Sequence, residues 1–559
     1  KALDEAELSA AGRKLADQGV DAIGVCFINS YLNPAHETRA VELLNHEFPD
    51  IPITASTVVA PEIREYERAS TVAANAYVLP LMRRYITDLR QKLVGMGLQG
   101  PLNVMLSGGG IASLDVAQET PIQMIESGPA AGAISGAYYG KLTSSESVIA
   151  FDMGGTTAKM CLIENGEPEH SNSFEAGRVK RFCHGSGLPL KVPVIDLIEI
   201  GAGGGSIAYI DAMGLMKVGP ASAGSEPGPV CYGQGGEEPT VTDADLLLGY
   251  LSPDYFLGGE MPLEMDLVRT AIDKKLSQQT GLSVIEAASG IHAIVNSNMA
   301  AATRRYIAEK GRDPRRYTLI ATGGAGPVHA YGLAKQLKLG RIICPLGAGV
   351  SSALGFLIAA PATDRVTSYV RPVKDLDPDA VNAFYETMQK DAVAALIDAG
   401  ADADNITIRK RVEMRYVGQG FEIDVPLPDG QFDGTFADIL HERFLERYDE
   451  LFGRRISDVP VETITWRLTA SGPTPHIDLN FDGQQIDKDN ALKGVRDAYF
   501  PETGYIPCNV YSRYGLSPGT EIKGPAVIEE RESTVVAGPD TTLRVDEYLN
   551  LIIDIHYDK

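Results

Sequence analysis

At three places in this chain an apolar run stops at a cluster of glycines. Ser147-Val-Ile-Ala-Phe-Asp152 leads into Met153-Gly-Gly-Thr-Thr157. Tyr317-Thr-Leu-Ile-Ala-Thr322 leads into Gly323-Gly-Ala-Gly-Pro327. Leu102-Asn-Val-Met-Leu106 leads into Ser107-Gly-Gly-Gly110. A short continuous apolar run bounded by turn residues reads as a buried strand. Glycines placed directly after it let another backbone or a ligand come close, because no Cβ is in the way. A helix-like stretch, His329–Leu337, follows the second cluster. The passages at 102–110 and 317–337 are read as sharing one plan of strand, glycine turn and helix. That plan hints at an internal duplication, at a spacing far too long for a solenoid.

The remaining pattern supports an α/β chain. Helical periodicity at 5–18 and 34–48 alternates with strand-like runs at 22–28 and 53–59. Residues 61–96 form a long helical stretch in which Pro80 should kink or break the helix. Such alternation predicts a parallel or mixed sheet covered by helices. Asn165-Gly166 is a hairpin signal after the run Ala158–Ile163. Beyond about residue 364 the texture changes. Asp377-Pro378 should open a helix that runs to Ala399 and stops at Gly400. Residues 408–417 alternate with a period of two, 432–452 are amphipathic, and 463–469 read as a strand. From Ala498 onward, short β-like runs are cut by Pro507, Pro518-Gly519, Gly524-Pro525 and Gly538-Pro539, which suggests a β-rich end.

Charge and cysteine usage exclude several classes. With 50 Lys+Arg against 74 Asp+Glu, the formal net charge is −24, which argues against nucleic acid or an anionic membrane as the main partner. The six cysteines form no CxxC pair, so neither a disulfide framework nor a zinc ribbon is expected, and a reduced, cytoplasmic setting is the default. The uncharged stretch 342–363 is long enough to span a bilayer. Its interruption by Pro345, Gly347, Gly349, Gly355 and Pro361 favours a glycine-rich turn followed by a core helix.

Phe151-Asp152-Met-Gly-Gly-Thr-Thr157 is the strongest chemical motif. A strand delivers one carboxylate into a turn whose amides can approach an anion, with Thr156, Thr157 and Lys159 alongside. Asp152 suits a divalent-metal shell or the positioning of water. Gly323-Gly-Ala-Gly-Pro327 opens a helix, and its backbone can serve an anionic or flat ligand or simply tight packing. Ile200-Gly-Ala-Gly-Gly-Gly-Ser206 falls short of the dinucleotide fingerprint because Ser206 replaces its last glycine. Walker A, serine-hydrolase elbow and His-Glu-x-x-His motifs are absent. Thr242 is expected to N-cap a helix carrying Asp243 and Asp245 in its first turn, where carboxylates can act as dipole partners or in chemistry. Cys183 and Cys231 read as buried thiols, and His184 and His329 as structural. Arg178, Lys180 and Arg181 either meet an anion or stay solvated.

Several longer passages together resemble the hydantoinase A/5-oxoprolinase family. They are Glu126-Ser-Gly-Pro-Ala-Ala-Gly132, Phe151–Thr157, Glu199-Ile-Gly-Ala-Gly-Gly-Gly-Ser-Ile-Ala208, Gly219–Gly224, Pro227–Gly233, Pro239–Asp245, Gly323–Pro327 and Lys523–Ile528. The resemblance implies an actin/sugar-kinase/Hsp70-like duplicated ATPase core with a C-terminal α+β or β-rich region. Residues 1–145 would be the remainder of a first ATPase-like domain and 146–368 the second. Residues 369–490 would form an α+β domain and 491–559 a small β-rich module. It implies ATP and Mg²⁺ (or Mn²⁺) as cofactors. Asp152 to Thr157 would be the second phosphate loop and Gly323 to Pro327 the adenosine-side loop. Candidate catalytic residues are Asp152, also the metal ligand, and Asp243. Candidate nucleotide-binding residues are Gly154, Gly155, Thr156, Thr157, Lys159, Gly203, Gly204, Gly205, Gly323, Gly324 and Gly326. Family members carry an earlier Asp-x-Gly-Gly-Thr hairpin that this sequence does not contain, so about a hundred or more residues are expected before Lys1.

The activity implied is ATP-dependent phosphorylation of the carbonyl oxygen of a cyclic amide (hydantoin, 5-oxoproline or lactam), followed by ring opening. The alternatives are a ketone carboxylase of the acetone/acetophenone type, acting on enolate or bicarbonate, and a nucleotide-binding scaffold without turnover. The implied partner is a hydantoinase B-like subunit in a hetero-oligomer, with a small-molecule substrate and neither nucleic acid nor membrane.

Overall fold

The computed structural model describes residues 2–178, 185–456, 458–475, 477 and 491–557. They gather into two compact units. One comprises 1–130, 170–194 and 359–475; the other comprises 131–169, 195–358 and 476–559. The fold is mixed α/β in both.

The second unit is built on a nine-stranded sheet. Its order is Leu197–Ile200, Ala158–Glu164, Ser147–Met153, Thr318–Thr322, Arg341–Cys344, Leu551–Ile555, Thr541–Val545 and Glu521–Lys523, with Glu167–Pro168 pairing back on Ala158–Glu164. Thr318–Thr322 runs parallel to Ser147–Met153 and to Arg341–Cys344. Ser147–Met153 and Thr318–Thr322 are buried almost end to end, as strands covered on both faces must be. The hairpin signal holds: Asn165 and Gly166 both take positive φ (52° and 78°) where the chain reverses into Glu167–Pro168. The glycine- and proline-rich C-terminal stretch supplies the last three strands at one end of this sheet. It also forms a four-stranded sheet of Leu492–Phe500, Gly504–Ser512, Ala526–Glu529 and Thr534–Ala537.

The first unit holds a four-stranded antiparallel sheet ordered Ala362–Pro372, Val461–Ser471, Thr407–Tyr416, Ile423–Pro426. Helices Pro378–Asp398 and Phe436–Phe452 belong to the same unit, and Trp466, Tyr385, Phe436 and Phe444 fill its core. Asp377 caps the first of these helices, accepting from the Asp379 amide (3.1 Å). Val412, Met414 and Tyr416 are buried while Arg411, Glu413 and Arg415 are half-buried, the period of two read from the sequence.

Two expectations about the fold are corrected, and the reading of 342–363 as a turn and helix is borne out. Pro80 does not end its helix, which runs unbroken over Glu65–Gly95. Buried Arg68, Thr71, Val72, Asn75, Leu79 and Ile86 hold both halves against the unit, and this packing outweighs one missing amide. Ser107-Gly-Gly-Gly110 opens no helix. Gly109 takes φ 86° and the chain returns as Ile111–Ser113, antiparallel to Asn103–Met105, unlike the strand–turn–helix at 318–337. Residues 342–363 are divided among a strand, a turn, the short helix Ser351–Ile358 and the start of another strand. No helix among the described residues is long and apolar enough to cross a membrane.

Candidate functional site

Asp152 is the next-to-last residue of its strand. Register places it opposite Thr322 on one side and Lys159 on the other, and Lys159 opposite Glu199. Opposed residues share a sheet face, so a hydroxyl, a carboxylate, an ammonium and a second carboxylate form a row across four strands. The Lys159 ammonium donates to the Thr157 hydroxyl (3.3 Å) and lies 3.5 Å from Glu199. Ser352, at the start of its helix, donates to Asp152 Oδ2 (3.3 Å). Burial pushes the Asp152 carboxyl above its usual range, against the opposing pull of Ser352 and Lys159.

Two glycines crowd this carboxylate, and one of them, Gly323, could hardly carry a side chain. A Cβ at Gly323 would stand 2.4 Å from Asp152 Oδ1, and one at Gly132 would stand 3.4 Å from Oδ2. The Gly323 backbone also adopts φ +82°. In contrast, Gly154 and Gly155 have nothing within 4 Å of where a Cβ would be, and Gly155 and Thr156 are exposed.

The structure brings all three loops of this unit together by main-chain bonds. The Ala325 amide donates to Met153 (3.0 Å), Gly204 to Gly154 (3.0 Å) and Gly205 to Gly155 (2.6 Å). Gly203 donates to the Ser206 hydroxyl (2.9 Å). A Cβ at Gly203 would lie 2.6 Å from the Gly155 carbonyl, and one at Gly204 2.7 Å from the Thr242 hydroxyl. The amides of Gly203, Gly204 and Gly205 are therefore engaged inside the protein. These glycines brace the Asp152 loop from behind, while the Gly155–Thr157 side stays open. Gly326 is buried over Phe151 and Met153, whereas Gly324 is exposed.

Asp243 is placed differently from Asp152. Thr240, not Thr242, is the N-cap, because Asp243 sits three residues on and completes a reciprocal capping box with it. The Asp243 carboxylate accepts from the amides of Val230 (3.2 Å), Cys231 (2.7 Å) and Thr240 (2.8 Å) and from the Thr240 hydroxyl (2.8 Å). Burial raises its carboxyl above the usual range, and these donors partly offset that. Thr242 instead donates its amide and hydroxyl to the Gly204 carbonyl (2.8 and 2.9 Å), tying this helix to the brace. Cys231 is fully buried, and burial pushes its thiol far above the normal range, so no thiolate is available there. Arg178 pairs with Glu175 (3.1 Å), while Lys180, Arg181, Cys183 and His184 lie outside the described residues.

Sequence reasoning did not find the grouping of Asp245, His292 and His329. It is the one set of His, Cys, Asp or Glu side chains among the described residues whose donor atoms all lie within 4.8 Å. Asp245 Oδ1 faces His292 Nδ1 (2.8 Å) and Oδ2 faces His329 Nε2 (3.1 Å); His329 Nδ1 faces Asn296 Oδ1 (3.0 Å). The only sequence signal was the i, i+4 spacing of His292 and Asn296 on one helix face. In outline this set could hold a cation. However, the two imidazoles stack 4.5 Å apart with planes only 18° from parallel. Nitrogen lone pairs lie in the ring planes, so two stacked rings cannot converge on one ion. The geometry is that of a carboxylate bridging two imidazoles. Burial alone would raise Asp245, but the two rings bring it down to about 2. Burial and the neighbouring His329 lower His292.

Comparison with known proteins gives one consistent result. A family model described as hydantoinase/oxoprolinase matches residues 68–365. Models for the C-terminal domain and the N-terminal region of the same group match residues 373–555 and 1–48. The chain is 33% identical to caprolactamase subunit alpha of Pseudomonas jessenii, over 97% of this chain and 78% of that one. It is 32% identical to the acetophenone carboxylase gamma subunit of Aromatoleum aromaticum, over 98% and 75%. The crystal structure of ATP-dependent caprolactamase from Pseudomonas jessenii superposes with a TM-score of 0.83 at 32% identity, covering 100% of this chain and 80% of that one.

Proposed function

The chain belongs to the hydantoinase/oxoprolinase family, and from that premise we propose that it is the ATP-using subunit of a cyclic-amide hydrolase, built on a duplicated actin/sugar-kinase-like core. The observation that carries this reading is the pairing of Asp152 with an open glycine turn. A half-buried carboxylate sits near the end of a central strand, beside Gly323 where a Cβ has no room, and faces a loop whose outer side is free. Such a site suits a triphosphate and its cation.

In the reaction proposed, the amide carbonyl oxygen attacks the γ-phosphorus and ADP leaves with the bridging oxygen. Water then adds to the activated carbon, the tetrahedral adduct expels the ring nitrogen, which takes up a proton, to leave an acyl phosphate, and a second water releases phosphate from it to give the carboxylate. Mg²⁺ or Mn²⁺, when bound, would neutralise the charge on the phosphates. The amides of Gly155, Thr156 and Thr157 and the Lys159 ammonium would bind the phosphate oxygens. Asp152 would hold the cation, and Gly323 and Gly324 would border the nucleoside. Gly203, Gly204, Gly205 and Asp243 would keep the loops in register without touching the nucleotide. Relatives that are subunits of larger enzymes support a hetero-oligomer, and we propose a hydantoinase B-like chain as its partner.

A second reading, ATP-dependent ketone carboxylation, draws on the near-equal identity to the acetophenone carboxylase subunit. Phosphate release from ATP by the protein with its partner should be stimulated by a lactam, hydantoin or 5-oxoproline. Stimulation only by an aryl or alkyl ketone with bicarbonate would replace the first reading with the second, and ATP binding without any turnover would leave a scaffold.

A further inference from the structure

The turn between strands Ala526–Glu529 and Thr534–Ala537 borders the exposed Gly324. The Glu530 amide donates to the Ser533 carbonyl (3.0 Å), leaving Arg531 and Glu532 as a two-residue tip. The Glu530 side chain, 3% exposed, fixes this turn. Its Oε1 accepts from the Gly347 amide (2.6 Å) and its Oε2 from the Ser533 hydroxyl (3.0 Å). The 345–350 turn is tied in turn to the glycine loop, since Gly323 donates to the Ala348 carbonyl (2.8 Å). A Cβ at Gly349 would stand 2.5 Å from the Glu532 Cβ, and one at Gly324 3.4 Å from the Glu532 carbonyl oxygen. Glycine at 349 is thus what lets the tip close down on this loop.

Glu530 holds the turn in place, while the ends of the tip side chains reach solvent. The Arg531 side chain remains 55% exposed and pairs with the still more exposed Glu260 (2.7 Å), an arrangement of little stabilising value. Glu532 keeps a third of its side chain in solvent. The Glu532 carboxylate, 3.8 Å from the Arg531 guanidinium, and the Glu532 carbonyl themselves offer only acceptors. Adenine presents an exocyclic amino donor where guanine presents a carbonyl acceptor.

We propose that the Arg531–Glu532 tip is the base-reading wall of the nucleotide site and that Glu532 determines the preference for adenine. This inference rests on the proposed reading of Gly323–Gly326 as the nucleoside-side loop. Its test is calorimetric titration of ATP and GTP into the purified protein and its Glu532→Ala and Glu532→Gln variants, with melting temperatures alongside. The ATP-over-GTP preference should fall about tenfold or more in Glu532→Ala, through weaker ATP and stronger GTP binding. It should fall less in Glu532→Gln, which keeps one acceptor, and both variants should melt with the parent. An unchanged preference in folded Glu532→Ala protein that still binds ATP overturns the inference alone. A parent protein that binds neither nucleotide overturns the reading beneath it and this inference with it.

Discussion

Two glycine loops of nearly the same composition do opposite things in this molecule. At Gly203–Gly205 every amide is bonded within the protein, and an added Cβ at any of the three would meet another group at 2.6–2.8 Å. At Gly154–Gly155 an added Cβ would meet nothing within 4 Å. The first pair of strands and loops needs glycine so that backbone can pack on backbone; the second leaves its glycines facing open space. The two aspartates divide in the same way. Asp243 is surrounded by four donors, whereas Asp152 has a single long bond from Ser352 beside a half-exposed ammonium. Glycine density or an aspartate near it therefore does not mark a ligand site; unengaged groups do.

The largest effect expected from this contrast is at Asp152. Asp152→Asn should lower ATP turnover by about 10²–10³-fold, since charge placed for the reaction is lost. Its folded pKa is raised, so its stability contribution is complete below the unfolded value of 3.8 and is lost as pH rises through the folded value. At neutral pH the neutral variant should therefore melt slightly above the parent. Turnover close to the parent's would remove Asp152 from the mechanism. A lower melting temperature would mean that its carboxylate is better satisfied than the structure indicates.

Next in size is the stability cost at the brace. Gly203→Ala forces a methyl group against the Gly155 carbonyl and should cost about 1–3 kcal/mol. Asp243→Asn turns an amide donor toward three backbone N–H groups and should cost about 1–3 kcal/mol. Gly155→Ala should leave denaturation midpoints unchanged and raise the KM for ATP several-fold. Urea unfolding of the three variants separates the two loops: equal destabilisation at Gly155 and Gly203 would erase the distinction between them.

Much of this was legible in the sequence, for identifiable reasons. Strand–turn chemistry is local, so the Asp152 motif, the Asn165-Gly166 hairpin and the Asp377 cap could be read from consecutive residues. What the loops do with their amides is not local. Only the fold brings Gly204 to Gly154 and Thr242, or Gly323 to Asp152. Thr240 and Thr242 are both capping residue types, and only the return of the Asp243 side chain to the Thr240 amide selects Thr240 as the cap. The 102–110 passage looked like the 317–327 passage because both place glycines after a strand. Whether helix or strand follows is decided by pairing further along, as Ile111–Ser113 shows. Asp245, His292 and His329 come from three separate helices, and no spacing in the sequence joins them.

The smallest predicted effect lies behind the brace, in that three-helix network. His292 has a lowered folded pKa, so the unfolded chain takes up its proton first as pH falls below 6.5. Stability is then lost through that window, at no more than about 1.4 kcal/mol per pH unit for one proton. Asp245 acts lower on the scale. Its folded value of about 2 sits below the unfolded 3.8, so its contribution is present above 3.8 and disappears as pH falls toward 2. Between pH 7 and 5 the slope should thus come from His292 and not from Asp245. His292→Gln should flatten the fall in urea midpoint over that range, while ATP affinity at pH 7.5 stays at the parent value, because the network contacts the helices and not the open turn. A variant that instead weakened ATP binding with an unchanged pH profile would move this network from the brace to the nucleotide side, and the division between the two loops would then have to be drawn elsewhere.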